Sequence, residues 1–558
     1  LIPTFELTHY GIRSGGVSFT EANFLAIPFH DLLASLVPDY STVVPVEWAA
    51  SIGLIPLLLA VVAVVRRWRE GPVLLLGGLA LTAIGVALGR ATPIFWLAYH
   101  LLPGYVSFRV PPRALLVFTF AAAALAAFGA AELEKQRARG DHPWIVLAVA
   151  GALFVAAFPV FWWLQRNGPL PVLSTFLPGH RWILLARWLA LIAAAVTLAV
   201  VARRWPVVSA GLILLVAGEL YLAARPLDAL KPLPAGIYSR DPRIDALLPS
   251  DSTPFRSLSV AQATSARPSI PQAELGRLGY VDDFRYANSR AARVGDWPNF
   301  PMQAGRATLD GYDGGLLPLT SYVRFRGLLV PAGRNLADYP FPYLMAEVPD
   351  QRLLGLLGVR YVLHDPAPAD AGAPVVEGVS ILENPQVVPR AFLVHTVHAS
   401  AGSDRDLQAI ANPDFDLRSE ATIAEGVCSG GQPTTGDQVE FLDSSPETLS
   451  LRVASASPSL LVVGTVEYPG WQASVDGKSQ PVLLADSLIQ GVCLPPGRHT
   501  VELRFTPSHW TLALALSLAS FAALVVFTAW PIRRTSAGRG AISPQPEPID
   551  SRAGPSLL

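Results

Sequence analysis

Residues 494–532 read LPPGRHTVELRFTPSHWTLALALSLASFAALVVFTAWPI, and the stretch changes character half-way. Pro496-Gly497 make a turn. Val501, Leu503 and Phe505 then alternate with Glu502 and Arg504, the period of a half-buried strand. From Trp510 to Ile532 there is no charged residue, and such a run of about 18 or more is a transmembrane candidate. A polar β domain therefore runs directly into a membrane segment.

The rest of the chain agrees. It has 558 residues, 51% hydrophobic and only 15% charged, where a soluble chain carries about 25%. Mean hydropathy is +0.39. The net charge of −1 gives no electrostatic basis for nucleic-acid binding. Four more uncharged runs qualify as spans: Trp48–Val65, Pro72–Gly89, Ala114–Ala131 and Pro143–Leu164. Two others carry one charge each, Trp182–Ala202 with Arg187 and Trp205–Ala224 with Glu219. Thr92–Phe108 is apolar but broken by Pro103-Gly104, so it reads as an interfacial or re-entrant helix. The fold class expected is a polytopic α-helical membrane protein of seven spans with an α/β plus β-sandwich domain.

Lys and Arg in the short loops set the orientation. Loops 66–71, 132–142 and 203–205 hold eight in twenty positions, and loops 90–111 and 165–181 hold four in thirty-nine. The first set is expected inside and the second outside. Residues 1–45, with an interfacial helix, and the insert from 225 to 508 then lie outside. The Pro- and Ser-rich tail 533–558 lies in the cytoplasm and is expected to be disordered. The chain begins with Leu and shows no signal-peptide pattern, so it reads as a piece whose start lies upstream.

Within the insert, residues 225–385 mix strand-like phrases (FRSLSV, VRYVLHD) with helix-like ones (RIDALLP, QRLLGLLG), an α/β unit. Residues 386–508 are short strands between Pro, Gly, Asp and Ser clusters, a β-sandwich. Asp476-Gly477 marks a hairpin in EYPGWQASVDGKSQPV. Cys428 and Cys493, the two cysteines of the chain, both fall here. An oxidising exterior permits their disulfide, and two separate buried thiols are the other reading.

No Walker, G-x-S-x-G, H-E-x-x-H or Cys-x-x-Cys pattern occurs, and the ten His lack metal-ligand spacing. Arg109 and Arg113 at the outer lip of a helix suit a phosphate clamp, or snorkel to headgroups. Arg187 and Glu219 lie at similar depth and are expected to pair or share a polar cavity. Glu21, His30, Asp31 and Asp39 offer a base at the membrane surface or a helix cap. Asp310, Tyr312 and Asp313 in GRATLDGYDGGLLPL suit sugar contacts or an ordinary turn, and Trp471 reads as core ahead of sugar platform.

Five phrases carry a resemblance over nearly the whole chain: LLPGYVSFRVPPRALLVFTFAAAALAAFGAAELE, DGYDGGLLPL, LLGLLGVRYVL, PRAFLV and YPGWQASVDGKSQPV…GVCLPPGRHTVELRFTP. They resemble the YfhO family of bacterial membrane proteins, which looks like the GT-C class of glycosyltransferases. The resemblance implies transfer of a sugar from a polyprenyl-phosphate donor to a cell-envelope polymer, on the outer face of the bacterial plasma membrane. Membrane lipid is the medium, and a divalent metal is open as a cofactor. It also implies a catalytic carboxylate in a first exterior loop that no residue here matches. A membrane-anchored glycan- or envelope-binding protein is the alternative, and a transporter- or flippase-like role is a third.

Overall fold

The computed structural model describes residues 2–529 except 30, 38–45, 161–162, 164–179, 203, 206, 208–209, 225–241, 249–253, 262–276, 278–291, 312–317, 335–340, 368–371, 377, 425–427, 429 and 434. It is a mixed α/β structure: an apolar helical part, a polar part with three sheets, and a last apolar helix.

Among the described residues three helices are long and apolar enough to cross a membrane: Pro111–Ala138, Trp182–Val201 and Trp510–Thr528. Gly71–Ala87, Trp144–Val160 and Ala210–Ala224 are apolar but shorter. One expected span is corrected at its start. The run Trp48–Val65 becomes a short 3-10 turn, Val46–Trp48, and a helix that begins only at Leu54 and ends at Arg67. Gly53 stops it from starting earlier, because its φ of 90° is outside the helical region. In the run Trp205–Ala224 the described helix is Ala210–Ala224, and residues 206, 208 and 209 lie outside the described residues. Hydrophobicity marks the run Trp48–Val65, but backbone conformation at Gly53 sets where its helix starts. Pro93–Leu101 is a nine-residue helix ended by the Pro103-Gly104 turn, too short to span, as the break in Thr92–Phe108 implies.

The helices share a core of small and branched residues. Gly129 faces the backbone of Leu59 so closely that a Cβ there would lie 2.0 Å from the Leu59 carbonyl oxygen. That glycine lets helix Leu115–Ala138 touch helix Leu54–Arg67 backbone to backbone.

In the polar part, Arg256–Ser259 pairs in parallel with both Ala307–Thr308 and Val359–His364. Val379–Glu383 adds an antiparallel neighbour, with Val375–Val376 at the edge. The sandwich consists of a five-stranded and a six-stranded sheet. In the first, Thr448–Ser455 and Gly497–Phe505 form the longest antiparallel pair. In the second, Ser459–Val466 lies between Ala391–Val394 and Ile489–Leu494.

This six-stranded sheet is buried on both faces. Leu461 and Val463 pack into the sandwich core with Leu451, Val453, Val501 and Leu503. Leu460 and Val462, one residue out of phase, pack into a second core with Leu258, Phe325, Leu354 and Val359 of the α/β unit. The apolar run SLLVVGTV does not alternate because neither face meets water. The expected division at 385/386 is thus bridged by one continuous core. Cys428 and Cys493 are joined by a disulfide, with Cα atoms 5.6 Å apart.

Candidate functional site

The N-terminal stretch and the loop before helix Leu115–Ala138 meet at one end of the helical part. Val17 N–H donates to the Val106 carbonyl (2.7 Å), and Tyr99 Oη donates to the Val17 carbonyl (2.6 Å). Trp48 Nε1 donates to the Leu25 carbonyl (2.9 Å). The polar part reaches the same stretch: Ile12 N–H donates to the Pro318 carbonyl (3.1 Å), and the Tyr10 and Tyr468 rings are in edge contact.

Arg109 and Arg113 stand here, on either side of Val110-Pro111-Pro112. Val110 is buried with φ of 66°, an unusual state for a β-branched residue and more so before proline. The two guanidiniums have different partners. Arg109 lies over the Phe24 ring, 5.4 Å from its centroid. Arg113 faces Glu47 at 4.0 Å, with 61% of its side chain exposed. An ion pair that long and that exposed contributes little to stability, so the guanidinium stays available to a ligand.

Below Arg113 a groove of about 860 Å³ opens between helices Leu54–Arg67, Leu115–Ala138 and Ala210–Ala224. Ser51, Ile52, Leu116, Phe120, Val216 and Leu220 contribute to its almost wholly apolar wall. Ser51 is four residues after Glu47, and Leu116 three after Arg113, so the pair is close in sequence to the groove wall. An amphiphile fits this arrangement, its chain in the groove and its anionic head at the arginines.

Glu219, flanked by groove residues Val216 and Leu220, is buried. Its Oε1 accepts the Leu54 N–H, the first helical residue after Gly53. A Cβ on Gly53 would lie 3.0 Å from Glu219 Oε2, so the glycine admits the carboxylate to the helix start. A negative charge suits that end of a helix, where free N–H groups and the dipole meet it. Sequence reasoning missed this role; Gly53 just ahead of an apolar run is the signal that could have shown it. Arg187 is exposed, beside buried Trp188, on helix His180–Val201.

Asp31 is buried, and its backbone carbonyl accepts Ser35 N–H at the start of helix Leu32–Leu36. Glu21 lies in the first turn of Phe19–Ala22 and donates its N–H to Ser18 Oγ. His30 and Asp39 lie outside the described residues. Asp310 is buried: Oδ2 accepts Phe341 N–H (2.6 Å) and Oδ1 accepts Gly311 N–H (3.1 Å), so the carboxylate anchors its loop. Tyr312 and Asp313 lie outside the described residues. Trp471 packs on the sandwich core beside Phe505. Sequence reasoning missed Glu47 and Phe24, since contacts this distant leave no periodic signal. Among the described residues no three His, Cys, Asp or Glu side chains gather as a metal site.

No protein-family model, curated protein or solved structure matches the chain.

Proposed function

We propose that this is a polytopic membrane glycosyltransferase of the GT-C kind, taking a sugar from a polyprenyl-phosphate donor to a cell-envelope acceptor on the exterior face. The observation that supports the reading is the apolar groove that includes Leu116, three residues after the exposed Arg113. A polyprenyl chain needs an apolar trough, and its phosphate needs a cation at the trough's mouth. In the reaction the acceptor oxygen attacks the anomeric carbon, a carboxylate takes its proton, and the carrier phosphate leaves against the arginines. The large polar part then lies outside and presents the acceptor.

The test is the double charge reversal Arg109→Glu/Arg113→Glu in the intact protein. Transfer of labelled sugar to envelope polymer is expected to vanish while membrane expression stays unchanged. Undiminished transfer removes the arginines, and with them the reading. The alternative, a membrane-anchored envelope-binding protein, is favoured by one observation: among the described residues the largest hydrophobic core lies in the polar part, not among the helices. In that case the charge reversal leaves transfer and envelope composition unaltered.

A further inference from the structure

Two arginines of the polar part, Arg256 and Arg390, meet at one turn. Some of its partly buried cations have carboxylate partners: Arg306 bonds Asp245 and Asp296, and Arg360 bonds Glu383. Arg256 does not. Its Nη1 donates to two neutral carbonyls, of Leu357 (2.7 Å) and Gly464 (2.6 Å). Arg390 has a buried Nε without a hydrogen bond, and its side chain makes no ion pair among the described residues.

Both are seated on the same turn. Arg256 N–H donates to the Gly358 carbonyl (2.8 Å), and the Arg390 stem crosses Gly358 so closely that a Cβ there would lie 2.8 Å from Arg390 Cγ. Gly464 sits between them: its N–H donates to the Arg390 carbonyl (2.8 Å), and its carbonyl accepts from Arg256. A register shift in the Arg256–Ser259 strand falls between Arg256 and Ser257, and such irregularities commonly re-aim a side chain beside a site. Burial and the neighbouring charge of Arg390 push the Arg256 guanidinium down to about 9, which still leaves it charged at neutral pH. Burial lowers Arg390 as well. Both side chains are partly buried.

Two like charges held together in a half-buried seam cost free energy unless an anion completes them. We propose that the seam between the α/β unit and the sandwich binds a phosphate dianion, free or as a phosphomonoester, between Arg256 and Arg390. A dianion balances both charges, and guanidiniums match phosphate oxygens in pairs. A carboxylate would balance one charge only.

The test uses the full chain and its thermal midpoint. Inorganic phosphate is titrated into protein in detergent, at constant ionic strength set with sodium chloride. Nanodiscs containing phosphatidic acid, without free phosphate, form a second arm. Phosphate is expected to raise the midpoint of the natural protein, with the apparent affinity of Arg390→Gln weaker by about tenfold or more. A rise in the nanodisc arm alone assigns the phosphate to a lipid head. Because the Arg390 side chain makes no polar contact that folding needs, Arg390→Gln in phosphate-free buffer is expected to match or exceed the natural midpoint. The proposal is overturned if neither arm shifts the midpoint, or if Arg390→Gln responds like the natural protein.

Discussion

Asp486→Asn should make the polar part more stable at neutral pH and flatten its pH dependence. Asp486 and Ser487 form the two central residues of the turn from Leu483–Ala485 to Ile489–Leu494, with φ of 49° and 57°. Asp486 is 1% exposed. One carboxylate oxygen accepts Thr422 N–H (2.9 Å), and the other is buried without a partner. Burial pushes this carboxyl up to about 7, and nearby Asp406 adds to the rise, against the Thr422 bonds that lower it. An unfolded Asp titrates near 3.9. The folded state therefore holds the proton more tightly than the unfolded one. Stability is full below about pH 4, falls as pH rises from there to about 7, and is level above. Three pH units at about 1.4 kcal/mol each set a ceiling of roughly 4 kcal/mol on the loss. Asn keeps the oxygen that Thr422 needs, tolerates the left-handed backbone, and has no charge to bury. Thermal unfolding of the full chain in detergent, followed by circular dichroism of the β signal, reads the effect. At pH 8 the Asn variant should melt higher by roughly 5–15 °C, and the difference should vanish at pH 4. An equal midpoint at pH 8, or a gap that is as wide at pH 4, would refute the linkage.

Losing the Cys428–Cys493 bridge frees a loop of 65 residues, and Cys428→Ser/Cys493→Ser should cost about 4 kcal/mol in the chain-entropy account; an unchanged denaturant midpoint sinks that. Gly477→Ala in the hairpin turn, at φ of 77°, should cost about 1 kcal/mol, against almost nothing for Ser479→Ala on the same exposed strand. Gly53→Ala should destabilise the helical part, because it strains the backbone and crowds Glu219. Glu219→Gln, which keeps an oxygen for Leu54 N–H, should cost less than Glu219→Leu; the reverse order would exclude the capping role.

The elements that repeat locally were legible. Alternation in TLSLRVAS and HTVELRF shows as inward Leu449, Leu451, Val453, Val501 and Leu503, and Asp476-Gly477 turns the hairpin with φ of 52° and 77°. What local pattern cannot carry is the meeting of distant segments. Glu47 and Arg113, Asp486 and Thr422, and Arg256 and Gly464 are each joined across tens to hundreds of residues. An Asp-Ser turn reads as solvent-facing, yet Asp486 is buried because strand Glu420–Ile423 pairs with the strand before it. Apolar composition likewise marks residues 48–65 as one run, although one left-handed glycine shortens the helix to Leu54–Arg67.

The contacts also constrain how the chain can cross a bilayer. Gly11 bridges Leu319, Ile12 bonds Pro318 and Tyr10 touches Tyr468, so the N-terminal stretch and the polar part lie on the same side. Between them, among the described residues, come two apolar helices of spanning length and four shorter ones of 14 or more residues, besides the nine-residue Pro93–Leu101. Returning to the same side takes an even number of crossings. Six satisfies this, and so do two, but three or five do not. If one short helix lies along the interface instead of crossing, a second must do so too. Glycosylation or cysteine-labelling reporters placed in loops 66–71, 132–142 and 203–205 count the crossings. An odd total between residues 45 and 225 would contradict the contacts at Gly11 and Ile12, and with them the single exterior face on which the groove, the arginine lip and the polar part are proposed to work together.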